Sequence, residues 1–554
     1  MASPPRRRSR RIYLALGAIS FVCALAALLV AQGQRELANS LSDSAAMKAA
    51  AAAPETKPYL ARYPHDRYKV TALDSELLRV TFFSGPRVVL DVAVAADKSV
   101  AYTQEYPPGY RRAGSEISHR WWVLAALTAA FILAAASLPP LSLRNLDLLA
   151  LASFLGPMLL LDARLFELSV YLSYPPLAYL AARCLWVGLA GAGYARSGAT
   201  SSLYERLTAR SSAAARERML ALASAAAAAI VVIVTLTSRS VVDVGIASIA
   251  GATQLLEGTL PYGNLPDQLG IVHGDTYPLL SYLAYLPAAL LLPVHDPFDS
   301  FDGALITAAA AALAAAVGIY WAVTRLPLRV APAARRALSR TAGMRSVLAW
   351  FTFPPVLMTT SSGSNDLVAA ALVAWALALA CQPAGSTLIW TFAGWVKLVP
   401  LAALPLWLGR FRGGSGVRAV GAAAIATAAV AAMLVALGGA AGVGDMLSAV
   451  SFQFERGSLL SLWSVTGLRA GQIVVQAALV ATIVLAAARV MRDSELAADP
   501  WRLAGIAGAI MLGLQIAANY WTYAYLVWVF PCVALALLFR PAPGQGQIGG
   551  AHGG

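Results

Sequence analysis

Apolar runs of about 20 residues recur along the whole chain, and a helix needs about that length to cross a hydrocarbon layer. Spans are expected at residues 12–31, 121–136, 146–161, 168–192, 219–237, 303–324, 346–360, 367–381, 419–437, 471–488, 503–518 and 523–538. Residues 388–408 are interrupted by Lys397 and Pro400 and read as two short half-helices with Lys397 near their apex. With both halves counted, the chain makes about fourteen crossings. Residues 277–294 are apolar too, but Pro278, Pro287 and Pro293 oppose a spanning helix. A crossing there would also put the arginine-rich loop from Arg325 to Arg345 on the wrong side, so this segment is read as lying at the outer interface.

One stretch follows a different rhythm. Over residues 66–106 apolar and polar positions alternate, valine and threonine are frequent, and Ser84-Gly85-Pro86 and Ala96-Asp97 interrupt the runs. That pattern predicts a small antiparallel β unit. The expected fold is therefore an all-α polytopic membrane protein with a small extracytoplasmic β unit near its N-terminus. Its parts are an anchor helix (1–32), an extracytoplasmic segment with the β unit (33–119), accessory transmembrane helices (120–194), a cytoplasmic linker (195–218), a main membrane core (219–540) and a flexible tail (541–554).

Composition supports this reading. Hydrophobic residues make up 59% and charged residues 13% of the chain, which excludes a soluble enzyme, a disordered protein or a nucleic-acid binder. The net charge of +14 is nearly all arginine between apolar runs, as the positive-inside rule expects. With Arg6, Arg7, Arg8, Arg10 and Arg11 ahead of the first span, both termini are expected in the cytoplasm of a plasma (inner) membrane protein. Cys23, Cys184, Cys381 and Cys532 each sit inside an apolar run without paired spacing, so neither disulfides nor zinc are indicated.

This topology gathers unusual polar residues at one membrane face: Asp243, Glu257, His273, Asp275, Asp366, Lys397, Glu455, Arg456 and the turn Asn519-Tyr520-Trp521. Ionisable groups at membrane depth are costly and need a partner or a function. Each has a plain alternative. Asp243 can also be read as a solvated interfacial carboxylate, Asp366 as a helix N-cap and Lys397 as a snorkelling lysine. Arg456 reads as a partner of Glu455 or of a headgroup, and the aromatic turn as an interfacial belt. Lys397 stands out because it is the only lysine after Lys98.

The segment DVGIASIAGATQLLEGTLPYG, with Leu255, Leu256, Gly258, Pro261 and Tyr262 at its end, resembles the start of the GT-C class of membrane glycosyltransferases. It looks most like glycosyltransferase family 87, the DUF2029 type. Tyr277-Pro278-Leu279-Leu280, the acidic Asp366 after Gly363-Ser364-Asn365 and the segment Gly394 to Pro400 around Lys397 extend the resemblance. So do Ser451 to Trp463 and the span Asn519-Tyr520-Trp521 with Trp528 and Pro531. Several of these motifs are one residue shorter than the family's, and the serine-proline before the last one is missing.

The resemblance implies a GT-C-like core and a polyprenyl-phosphate sugar as donor, carrying mannose, arabinose or glucose. The acceptor is a glycan, lipid or protein of the envelope, and transfer proceeds with inversion at the extracytoplasmic face. It places Asp243 as general base with Asp366 second, and Lys397 and Arg456 on the phosphate. His273 and Asp275 would orient hydroxyls, and Tyr262 and Tyr520 would line the site. Asp243 and Asp366 alone make a thin metal site, so no cofactor is expected, a divalent metal being the alternative. Two readings from other classes stay open: a polytopic secondary transporter, and a non-catalytic envelope-assembly protein that docks through the β unit.

Overall fold

The computed structural model describes residues 41–539, apart from 73–76, 86, 107–116, 191–200, 239, 267–268, 270, 272, 297–298, 327–331, 456–457 and 459. The expected first span and the C-terminal tail lie outside the described residues. The described chain is mostly helical, with a small antiparallel sheet near its N-terminal end.

The β unit forms where the alternation predicts it. Strands β1 (Arg67–Ala72), β2 (Leu77–Ser84), β3 (Arg87–Ala95) and β4 (Val100–Glu105) pair antiparallel in that order. Leu78, Val80 and Phe82 of β2 and Leu90, Val92 and Val94 of β3 point to one face, the period of two that a strand imposes. Helices Asp43–Ala52 and Lys57–Arg62 cover that face through Ala46, Ala50 and Leu60. Their alanine-rich sequence has no apolar stripe of helical period, so the sequence reading left them unassigned. At the β3–β4 turn, Asp97 accepts hydrogen bonds from Ser99 N at 2.9 Å and Ser99 Oγ at 2.6 Å.

The unit is docked on the helices. Buried Arg164 donates to the carbonyls of Val88, at 3.2 Å, and Tyr106. Lys69 pairs with Glu167 at 3.1 Å and donates to the carbonyl of Val465.

Among the described residues, six helices are long and apolar enough to cross a bilayer: the pair Leu143–Asp162, then Ala213–Leu236, Asp302–Arg325, Gly413–Gly438, Arg469–Arg492 and Pro500–Ala517. Leu222, Ile233, Val417, Ile425, Val480 and Val484 stand exposed on three of them, as befits surfaces solvated by lipid. These features give the chain the character of a membrane-embedded protein. The remaining expected crossings fall on shorter or interrupted helices. They include Trp121–Ala135, Asp366–Ala378 and the broken helix Phe353 splits into Pro332–Thr352 and Pro354–Ser361. Residues 277–294 form two single helical turns, Leu280–Leu283 and Leu286–Ala289, as their prolines require.

Three expectations need correction. The arginine-rich loop ahead of residue 346 is largely helical, within Pro332–Thr352. Arg345, expected in that loop, is buried and donates from Nε to Ala134 O at 2.8 Å, satisfying a carbonyl at the end of helix Trp121–Ala135. The loop expected after residue 437 contains a 15-residue helix, Ala441–Glu455.

Candidate functional site

The site forms where two interrupted elements meet. Helix Pro383–Val396 cannot continue past Lys397, because Pro400 lacks an amide proton and its ring opposes the preceding turn. Lys397 takes an extended backbone (φ −137°, ψ 128°), and a short 3₁₀ segment, Val399–Ala403, follows. The two halves fold tightly on each other. A Cβ on Gly394 would lie 2.3 Å from Leu401 Cδ2. Trp390 donates to Pro400 O at 2.8 Å and stacks on Trp407 with ring centroids 3.8 Å apart.

Facing the break is the loop Ser362–Asn365, turned by Gly363 at φ +71°, from which helix Asp366–Ala378 begins. The plain alternative for Asp366, a helix N-cap, is not what the structure has. Asn365 occupies that position and Asp366 is the first helical residue, its carboxylate turned to other partners. Its Oδ1 lies 3.2 Å from Lys397 Nζ and accepts a 3.0 Å hydrogen bond from Trp528 Nε1, while Oδ2 accepts from Ser364 Oγ at 2.6 Å. The side chains of Lys397 and Asp366 are 9% and 3% exposed. Snorkelling is thereby excluded: the ammonium is held inside the protein. It sits 4.3 Å from the Tyr277 ring centroid and 5.7 Å from that of Tyr525, an arrangement that favours a cation over aromatic faces.

Asn365 ties the site together. Its Nδ2 reaches Ser248 Oγ and Ser281 Oγ, both at 3.3 Å, and Ser281 Oγ donates to Val396 O at 2.7 Å, one residue before Lys397. Its Oδ1 is buried without a hydrogen-bond partner among the described residues. Asp243 opens helix Asp243–Leu256 with an exposed side chain whose Oδ1 accepts from Val244 N at 2.8 Å. That helix start rests on the same loop. Val242 N donates to Ser362 O at 3.0 Å, and a Cβ on Gly245 would lie 2.7 Å from Gly363 O. The elements carrying Asp243, Asp366 and Lys397 thus converge.

The other expected residues divide. Tyr262 is buried and donates to Tyr277 O at 3.2 Å, so it steadies the ring beneath Lys397. Tyr520 is half-buried, its ring centroid 6.1 Å from that of Tyr525. Asp275 accepts from Gly263 N at 2.9 Å and so clamps its own loop. His273 is exposed, takes φ +57° and stacks on Phe452 at 3.9 Å. Arg456 lies outside the described residues. Among the described residues no group of three or more His, Cys, Asp or Glu could hold a metal ion.

Sequence reasoning missed the roles of Ser248, Ser281, Ser364, Asn365 and Tyr525, and named Trp528 only as part of the family resemblance. Trp528 is fully buried with its indole on Asp366. A tryptophan and a proline within one apolar run give no sign of a partner in another helix. No family model, no curated protein and no solved structure matches this chain.

Proposed function

We propose that the protein is an integral-membrane glycosyltransferase that moves a sugar from a polyprenyl-phosphate donor to an acceptor hydroxyl at the extracytoplasmic face. The observation that carries this reading is the Lys397 ammonium, held at a helix break 3.2 Å from Asp366 between two tyrosine rings. A buried ion pair is weak as a device for stability, since desolvating two charges offsets much of their attraction. A cation fixed in this way suits a lipid-borne phosphate, whose negative charge grows as the sugar leaves.

In this scheme the acceptor oxygen attacks the anomeric carbon with inversion. The bond from that carbon to the phosphate oxygen breaks, and the lipid phosphate departs with the electron pair. The hydroxyl proton passes to a base. Asp366 is engaged by Lys397, Trp528 and Ser364, which suits it to positioning the lysine. Asp243, exposed at a helix start resting on the Asp366 loop, is assigned as the base. The resemblance to the GT-C class supports the donor type, the extracytoplasmic site, the plasma-membrane location and the cytoplasmic termini. The acceptor belongs to the envelope glycans, lipids or proteins.

The test is sugar transfer in proteoliposomes, with a panel of polyprenyl-phosphate sugars and envelope-lipid acceptors. Wild type transfers sugar from one of the donors, and folded Asp243→Asn and Lys397→Ala do not. Full activity in both variants would remove these residues from the mechanism.

A second reading has an observation in its favour. A buried charge pair beside an interrupted helix is also what a secondary transporter uses to bind substrate. Substrate-dependent solute or ion flux in the same vesicles, without sugar transfer, would select it.

A further inference from the structure

A second polar site lies at the far end of the interrupted segment. Helix Leu404–Arg410 closes on Arg410, and the chain turns through Phe411 and Arg412 into the 26-residue helix Gly413–Gly438. Arg410 is 8% exposed, and its Nε and Nη1 have no hydrogen-bond partner among the described residues. Its guanidinium keeps its proton and rests 4.8 Å from the Phe411 ring centroid. Asp499 is a nearby acidic neighbour, but its carboxylate caps the next helix, accepting from Trp501 N at 3.0 Å and Arg502 N at 3.2 Å. Asp499 offsets part of this buried charge, and an anion that reached the two unused nitrogens would satisfy the rest.

The helix that starts at this turn has room for one. Among the described residues no side chain caps it, and glycine fills positions 413, 414 and 416. Gly413 takes φ +55°, and a Cβ on Gly413 or Gly414 would meet nothing within 4 Å. The amides of Gly413, Gly414 and Ser415 belong to a first turn without intrahelical acceptors, at the positive end of a long helix. Gly416 N is already used, donating to Arg412 O at 3.3 Å. Arg412 is exposed and donates to Met491 O at 2.5 Å, which brings the last turn of helix Arg469–Arg492, with Arg489 and Arg492, alongside. Arg489 is paired with Asp493 at 2.9 Å.

We propose that this turn binds the phosphate of an anionic membrane lipid, apart from the Lys397 site. The phosphate oxygens accept hydrogen bonds from Arg410 and from the Gly414 and Ser415 amides, with Arg412 and Arg492 adding positive charge. The apolar surface beside it suits acyl chains: Val417 and Val420 stand exposed on one helix, Val484 and Met491 on the other. A water-soluble phosphate would have no use for that surface.

The probe is phosphatidylglycerol, compared with phosphatidylcholine of the same acyl chains and with inorganic phosphate, on the full-length protein by native mass spectrometry. Wild type is expected to bind phosphatidylglycerol about tenfold or more tightly than phosphatidylcholine, the size of a charge-assisted contact. Arg410→Gln is expected to lose that preference. Gly414→Asp, which sets a carboxylate in open space at the helix start and leaves the core untouched, is expected to lose it too. Arg210→Gln, a change at an exposed arginine elsewhere, keeps it. Equal binding of the two lipids, or a preference that survives in folded Gly414→Asp, would overturn the proposal. Inorganic phosphate binding as tightly as phosphatidylglycerol would overturn its assignment to a lipid.

Discussion

Trp528 and Asp366 lie 162 residues apart in sequence, yet the indole Nε1 donates to the carboxylate Oδ1 at 3.0 Å, beside the oxygen's contact with Lys397. The last apolar helix of the described chain thereby reaches the centre of the candidate site. Trp528→Phe removes the donor and shrinks a fully buried ring, so a cavity adds to the loss of the hydrogen bond. Hydrogen bonds to charged groups contribute about 1.5–3 kcal/mol, and a loss of at least that order in unfolding free energy is expected. Denaturant titration of the purified protein in detergent checks it.

The Lys397–Asp366 pair separates stability from function. Lys397→Met leaves a buried carboxylate without its cation and is expected to destabilise the protein by about 3–5 kcal/mol. Lys397→Met combined with Asp366→Leu removes both charges and should recover part of that loss, the rest being the hydrogen bonds that Asp366 accepts from Trp528 and Ser364. Thermal unfolding of the two variants shows whether the coupling has the expected sign.

Gly394 tests the fold-back that presents Lys397. In Gly394→Ala the new methyl would collide with Leu401, whose Cδ2 and Cγ lie 2.3 and 2.4 Å from the Cβ position. Overpacking of this kind costs about 1–3 kcal/mol, and part of the relief comes from moving the 3₁₀ segment beside Lys397. A lower melting temperature together with weakened donor binding is expected. A lower melting temperature with donor binding unchanged would show that the break does not position the lysine.

The β unit has a pH response of its own. Burial pushes the Asp91 carboxyl above the ordinary value of 3.8, against the opposing pull of Arg79 and the hydrogen bonds from Thr81 at 2.6 Å and Tyr106 at 3.3 Å. A raised pKa means that the folded unit holds this proton more tightly than the unfolded chain. The stabilisation is fully present below 3.8 and is lost as pH rises through the raised folded value. Asp91→Asn should flatten that dependence. Hydrogen exchange of the strand amides across this range, corrected for intrinsic rates, measures it.

Much of the fold was legible because periodicity survives in sequence. The alternation of Val80, Phe82, Leu90 and Val92 announced the sheet, and Lys397 with Pro400 announced the broken helix. What the sequence withheld depends on tertiary contact. Arg345 looked like a loop arginine, and only the neighbouring helix end gives it a buried use. Helix Ala441–Glu455 looked like a loop because it is short and only partly apolar. About fourteen crossings were expected, and six described helices have both the length and the apolar character to span. The shorter helices gain their burial from neighbours, which hydropathy cannot foresee. In the site, Asp366 and Lys397 were visible as rare charges in apolar surroundings, but their pairing and the Asn365, Ser248 and Ser281 links were not.

The central claim is that Lys397 receives the phosphate of a prenyl-linked donor. Its most direct test is the affinity of the protein in nanodiscs for a polyprenyl monophosphate, with the uncharged polyprenol as reference. Wild type is expected to prefer the phosphate by roughly tenfold or more, as a charge-assisted contact would give. The folded double variant Lys397→Met with Asp366→Leu should bind both lipids alike. A phosphate preference of undiminished size in that variant would contradict the account.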